Sequence, residues 1–388
     1  MPYGNIINRT TALSTSLLCV ALTGCGDDVT SQSASSTSGD ASTDDAADAS
    51  TTGSSASNGS MAASDVSSDG DGEVGSSETG SSPTGPRVVP LPGEALFPEG
   101  ITATMDGTLF VGSVGEASVL RIEPPYGEDN VSVFSAGQLS RAAIGVFVDE
   151  VRGVLLVCDS NPGAPSSSGL SVLDLTDGTR IVEHVIAPAD AEGPVFCNDG
   201  FIGEDGAAYV TDSFGGRILR IADVGVEDAA VEVFVADPLL AAPPEAFGAN
   251  GLTIVDGEMY AVNFAAGSLL HVERTDGDDA VAVVDVPLID EGGRAVTLVG
   301  PDGIEPADDG GLLIVENGIF GDGKGNRVVE VTLAGGQGTV RELAGPFDVP
   351  TTVALTDTDL WVVQSQFDHL FGLDESPPEP FTLVGLLR

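Results

Sequence analysis

A short pattern returns along this chain at a nearly fixed interval, and it restricts the fold more than any other feature. Pro98-Glu99-Gly100-Ile101 leads to an Asp106-Gly107 turn and then Leu109-Phe110-Val111. Asn198-Asp199-Gly200-Phe201 leads to Asp205-Gly206 and Ala208-Tyr209-Val210, and Asn250-Gly251-Leu252 leads to Asp256-Gly257 and Met259-Tyr260-Ala261. Pro301-Asp302-Gly303-Ile304 leads to Asp309-Gly310-Gly311 and Leu312-Leu313-Ile314-Val315. Each copy reads as a strand, a tight turn and a second strand, because Asp-Gly and Gly-Gly supply the positive φ angles of a hairpin. The polar residues heading these copies are Glu99, Asn198, Asn250 and Asp302, separated by 99, 52 and 52 positions.

The first step is about two of the others, so a copy belongs between. Ile144-Gly145-Val146-Phe147-Val148-Asp149, followed by Gly153-Val154-Leu155-Leu156-Val157, supplies it in degraded form. A last copy runs from Pro350-Thr351-Thr352-Val353 to Leu360-Trp361-Val362-Val363. Six repeats of about 50 residues, each with several short strands, predict an all-β fold, a six-bladed β-propeller. Third strands follow in turn, as in Arg217-Ile218-Leu219-Arg220-Ile221 and Arg327-Val328-Val329-Glu330-Val331, alternating as a strand with one covered face should. Val131-Ser132-Val133-Phe134 and Val231-Glu232-Val233-Phe234 are the clearest fourth strands. The last blade is expected to be completed by the piece around Val88-Val89, with residues 381–387 as the competing candidate; either would remove an exposed edge.

Ahead of the repeats the composition changes. Residues 1–24 read as a lipoprotein signal peptide, with Arg9 early, an apolar run over 12–22 too short to span a membrane, and Leu22-Thr23-Gly24-Cys25 resembling a lipobox. Cys25 would carry the lipid; an ordinary secretory leader with an incidental cysteine is the alternative. Residues 25–86 are rich in Ser, Thr, Asp, Ala and Gly, with no aromatic, Lys or Arg, and are expected to be a disordered acidic linker. Residues 87–388 are the propeller. The expected location is that of an exported lipoprotein on the cell membrane or outer membrane, touching the bilayer only through its lipid.

Net charge is −46, from 60 acidic and 14 basic residues, and only 11 of the acidic ones fall in 26–86. The folded part is therefore acidic itself, which argues against nucleic acid or anionic lipid as partners and is compatible with attracting cations. Cys158 ends a second strand and Cys197 precedes the Asn198 repeat; in an oxidising compartment a disulfide and two buried thiols are both open readings. His184, His271 and His369 show no metal-ligand spacing. His369, in Gln366-Phe367-Asp368-His369, either reaches a pocket rim or belongs to a turn. No Gly-x-Ser-x-Gly elbow is present, and the glycine-rich stretch 321–325 joins two strands rather than a strand and a helix.

The repeat heads therefore carry the chemistry. The first strand of each propeller blade lines the central channel, so Glu99, Asn198, Asn250 and Asp302 would converge there. Two carboxylates and two amide oxygens suit a hard cation, Ca²⁺ before Mg²⁺, Mn²⁺ or Zn²⁺, because Ca²⁺ accepts irregular shells of about six to eight oxygens. Strand-start capping would explain one such residue. Four in register would, without a cation, leave carboxylates repelling one another.

With these motifs in order, residues 95–388 resemble the SMP-30/gluconolactonase family of six-bladed propellers, which includes regucalcin-like and luciferin-regenerating-enzyme-like members. Glu99-Gly100, Asn198-Asp199-Gly200, Asn250-Gly251-Leu252 and Pro301-Asp302-Gly303 match that family's metal-binding motifs, and the second repeat lacks a ligand as it does there. The resemblance implies a divalent-cation-dependent hydrolase, typically a lactonase, acting as a monomer on a small lactone or ester. The metal would polarise the carbonyl, and Asp302 would activate water or attack. Regucalcin-like members carry an Arg two residues before the Asn-Asp-Gly motif. Phe196 stands there here, beside Val195, which implies a less polar lactone or ester. Asn263, Glu316 and Asn317 after second strands, with His369, are candidates for a second shell or rim. A non-catalytic tethered propeller binding a protein or glycan, and a metal-dependent lyase of the streptogramin-lyase type, are the alternatives.

Overall fold

A computed structural model describes residues 85–388 except 162–166, 189–192, 245, 275–280 and 322–323. The expected leader, Cys25 and the linker up to residue 84 lie outside the described residues. What is described is a ring of six antiparallel sheets. Blade 1 runs from the innermost strand outward as Pro98–Ala103, Leu109–Ser113, Ser118–Ile122 and Val131–Val133. Blade 2 is Ala142–Asp149, Val154–Ser160, Ser168–Asp174 and Arg180–Val185; blade 3 is Cys197–Ile202, Ala208–Asp212, Arg217–Ile221 and Val231–Ala236. Blade 4 is Ala249–Val255, Glu258–Asn263, Ser268–Arg274 and Val281–Asp285. Blade 5 is Pro301–Pro306, Leu312–Glu316, Arg327–Ala334 and Gln337–Ala344, with Leu288–Asp290 added in parallel outside.

Blade 6 is where the chain closes on itself. Its strands are Pro350–Leu355, Asp359–Gln364, Thr382–Leu387 and, outermost, Arg87–Pro90. The two candidates for completing this blade are not competitors: Thr382–Leu387 is the third strand and Arg87–Pro90 the fourth, in register Val89 to Leu383. Leu91 N–H adds a 2.8 Å bond to Phe381 C=O, and Phe97 meets Phe381 edge-on at 5.1 Å. The first and last segments of the domain thus share a sheet, and Arg87–Pro90 covers the outer edge that Thr382–Leu387 would otherwise expose.

Apolar layers lie between successive blades. Phe110, Val119, Val146 and Leu155 join blades 1 and 2, and Val255, Val262, Ile304 and Ile314 join blades 4 and 5. This face-to-face packing covers the third strands on both faces for most of their length, as in Ser168–Asp174, where only Asp174 is not buried. The expectation of one open face holds only for outer strands such as Val231–Ala236. Polar residues on covered strands find partners there: Arg217 is held by Asp212 at 2.8 Å, both buried. Of the two cysteine readings, the structure has the bond: Cys158 and Cys197 are joined, Cα atoms 5.2 Å apart, tying the second strand of blade 2 to the first of blade 3.

The closing strand should matter to stability out of proportion to its length. Val89 and Leu91 are buried, and each apolar side chain of this size contributes about 1.5–3 kcal/mol. A chain starting at Gly85 should unfold in urea like the full chain, whereas one starting at Pro92 should lose several kcal/mol, read from the transition midpoint at unchanged slope.

Candidate metal and catalytic centre

All six innermost strands break register at the same place. Pro98 pairs with Ser113 but Ile101 with Val111, so two residues on the inner strand stand against one on its neighbour. The same slip occurs between Ala143 and Val146, Cys197 and Gly200, Ala249 and Leu252, Pro301 and Ile304, and Pro350 and Val353. This is a β-bulge, which re-aims a side chain where a regular ladder would not. The first bulge position around the ring is Glu99, Ile144, Asn198, Asn250, Asp302 and Thr351. The four polar repeat heads are thus structurally equivalent and meet at one mouth of the channel, where all four line the same pocket.

Glycine holds the second bulge position in four blades, for a visible reason. A Cβ on Gly100 would come within 2.5 Å of Ile144 C=O; Cβ atoms on Gly145 and Gly251 would strike the carbonyls of Asn198 and Asp302. Each glycine lets its blade lie against the backbone of the next blade's bulge. Hydroxyls bond across the same seam: Ser160 to Cys197 C=O at 2.8 Å, Thr211 to Asn250 C=O at 2.7 Å, and Thr351 to Glu99 C=O at 2.7 Å. The backbone carrying each oxygen is therefore fixed by its neighbour.

The four side chains are at most 6% exposed. Asn198 Nδ2 donates to Ser213 Oγ at 3.0 Å, leaving Oδ1 as an acceptor with no partner, and Glu99 Oε2 is likewise buried and unpartnered. Asp302 is oriented by Asn317, whose Nδ2 donates to Oδ2 at 2.8 Å, and by the Asn250 amide. Two orphaned buried oxygens beside a second carboxylate are what a cation would satisfy. Burial raises the pKa of Glu99 well above the usual carboxylate range, and the charges of Asp302 and Asp199 raise it further. Burial also raises Asp302, against the hydrogen bonds from Asn317 and Asn250. Without a cation the pair does not carry two full charges near neutrality.

Two carboxyl groups escaped the sequence reading. Asp199 is pushed by burial to about 7 although Gly200 and Leu252 N–H groups stabilise its charge. Glu305, on the inner strand three residues beyond Asp302, is pushed by burial and by Asp199 to about 8. Both are half-buried among the inner strands. Asp199 had a signal: it occupies the second bulge position that glycine takes in four other copies.

The remaining candidates separate. Asn317 lines the mouth through its bond to Asp302. Glu316 does not; it accepts from Val299 N–H at 2.8 Å and pairs with Arg327, bracing the loop that precedes Asp302. Asn263 does not either: its amide donates to Leu239 and Ala241 C=O at 2.8 and 2.9 Å and accepts from Ala266 N–H, so it is spent on holding a loop. His369 sits in the short helix Phe367–Leu370; Phe367, Leu370 and the C-capping Phe371 just beyond it face the mouth at i, i+3, i+4 spacing. His369 is not on that face; its Nδ1 bonds Ser376 C=O, and it clusters with Asp368 and Asp374. Clefts of about 510, 430 and 620 Å³ on the outer surface share no residue with the mouth.

Raised carboxyl pKa values have a sign in stability. The folded, cation-free protein holds protons that the unfolded chain releases above about pH 4, so this contribution is present at low pH and is lost as pH rises through about 7 to 8. A bound cation would replace those protons. The rise in melting temperature given by Ca²⁺ over EDTA should therefore grow from pH 5 to pH 8, and Glu305→Gln should flatten the EDTA curve. A Ca²⁺ effect that is constant across this range contradicts the assignment.

No family model matches the chain, and no curated protein matches it by sequence. Solved structures do match. A protein assigned as a gluconolactonase is 14% identical over 79% of this chain and 94% of its own, with a TM-score of 0.52. Regucalcin from Agrobacterium tumefaciens, described as a calcium-binding protein, is 15% identical over 76% of this chain and 91% of its own, TM-score 0.52. A streptogramin B lyase is 13% identical over 78% of this chain and 97% of its own, TM-score 0.50. At these identities the likeness is one of β-propeller fold.

Proposed function

We propose that this propeller is a divalent-cation-dependent hydrolase of lactones or related esters. The observation that carries the reading is the pair of buried, unpartnered oxygens, Glu99 Oε2 and Asn198 Oδ1, gathered with Asn250 and Asp302 at one end of the channel. Glu99, Asn198, Asn250 and Asp302 would hold the cation, Ca²⁺ in the first instance, as suits an all-oxygen donor set. The likeness in fold to a calcium-binding regucalcin and to a protein assigned as a gluconolactonase supports the same reading.

A bound cation supplies Lewis acidity toward a carbonyl oxygen. The chain supplies the rest. Asn317 and Asn250 hold the Asp302 carboxyl group in one orientation, where it can serve as a general base. Asp302 takes a proton from water as the hydroxyl adds to the carbonyl carbon, then returns it to the departing alkoxide; direct attack by the carboxylate is the variant. The apolar walls above exclude bulk water, which strengthens these interactions. The substrate is a small molecule and the unit a monomer. Cys25 would tether it, exported, to the cell or outer membrane.

Asp302→Asn keeps the size and one oxygen but removes the basicity. Lactone turnover should fall by about a hundredfold to ten-thousandfold, with the melting temperature little changed. Asn250→Asp adds charge, should tighten the cation and should lower turnover less. EDTA should abolish turnover of the parent and Ca²⁺ restore it. Near-normal kcat in Asp302→Asn would move the catalytic role to Glu99.

A further inference from the structure

The walls above the metal-site residues differ sharply from its floor. Among the described residues the lining contains no Lys, Arg, His, Ser, Thr or Tyr; its polar members are the four bulge residues and Asn317, all at the base. Everything above is aliphatic or phenylalanine. On the side of blades 3 to 5 the rings form a continuous file. Phe214 stacks on Phe247 at 5.0 Å and 25°, and Phe196 meets Phe247 edge-on at 5.3 Å. Phe247 continues to Phe264 and Phe264 to Phe320, each edge-on at 6.4 Å. The file ends on Phe320, which is 54% exposed, an unusual position for a phenylalanine and one directly at the mouth.

Blade 6 stands opposite blade 3 in a ring of six, and it supplies the facing wall. Phe367, Leu370 and Phe371 line the mouth from the short helix, with Phe367 and Phe371 5.5 Å apart. This wall is pinned. Gln366, in the left-handed region at φ 52°, donates through Nε2 to Glu379 C=O at 3.0 Å and accepts Glu379 N–H on Oε1 at 2.8 Å. The two bonds fasten the helix to the segment that returns toward Phe381.

We infer that the substrate of this site carries an aromatic or comparably flat apolar group next to its ester or lactone carbonyl, and that polyhydroxylated sugar lactones are excluded. The inference rests on the hydrolase reading of the same mouth. Aromatic walls on two sides recognise a flat group by edge and face contacts. Among the described residues the hydroxyls of a sugar would meet no side-chain donor or acceptor above the floor and would be left unsatisfied on binding. The phenylalanine at position 196, and the ladder built on it, replace polar recognition with shape.

Lactam analogues separate recognition from turnover, because their amide bond resists hydrolysis. Calorimetry on the full chain with Ca²⁺ would compare δ-valerolactam, its 3-phenyl derivative and the polyhydroxylated gluconolactam; the corresponding lactones would be assayed in parallel. The phenyl lactam should bind at least about tenfold more tightly than the unsubstituted ring and about a hundredfold more tightly than gluconolactam. Phe264→Ala should remove most of the phenyl margin. Phe320→Ala, at an exposed position that leaves the core untouched, should remove part of it. Equal or absent binding of the three lactams, or preference for gluconolactam, overturns the inference. Selective binding of the phenyl lactam with no hydrolysis of any lactone upholds the recognition and removes the hydrolase reading instead.

Discussion

Two carboxyl groups, Glu99 and Asp302, are forced to the same end of a narrow channel, and the rest of the site is arranged around their repulsion. Burial raises the proton affinity of both, and the charge of Asp302 raises that of Glu99 further, until protons or a cation intervene. The charge of Asp199 raises Glu99, Asp302 and Glu305 alike. A protein that wanted only a stable channel would fill these positions as blade 2 does, with an isoleucine. The amides of Asn198, Asn250 and Asn317 instead orient the ring of oxygens, and two of those oxygens are left without a hydrogen bond.

Holding that arrangement is a task for the backbone. The bulge repeated in every inner strand turns one side chain per blade toward the mouth, and glycine at the next position allows neighbouring blades to touch at the bulge itself. The Cys158–Cys197 bond and the Thr351 hydroxyl on Glu99 C=O lock two of these seams. Closure of blade 6 by Arg87–Pro90 then makes the ring continuous, so that no blade can drift outward and carry its oxygen away.

Much of this was readable in the sequence because the repeat makes it redundant. A period of 52 with Asp-Gly turns fixes the strands, and residues at one point of a repeat must meet on the axis. What was not readable depends on contacts between repeats. Asn263 and Glu316 look alike in sequence to Asn317, all three polar and just at the end of a second strand. Only the fold shows that Asn263 serves the loop at Leu239, Glu316 serves Val299 and Arg327, and Asn317 alone turns to Asp302. Glu305 carried no local mark, since its environment is made by the blades around it. The phenylalanine file was equally hidden, because its members come from separate connections more than a hundred residues apart end to end.

We propose that Glu99, Asn198, Asn250 and Asp302 together hold one divalent cation. Anomalous diffraction from crystals grown with Mn²⁺ or Ca²⁺ should show a single strong peak at the channel mouth, with oxygens of all four residues at about 2.1–2.6 Å. A mouth without a peak, or a cation held only by Asp368, His369 and Asp374 on the short helix, would contradict it.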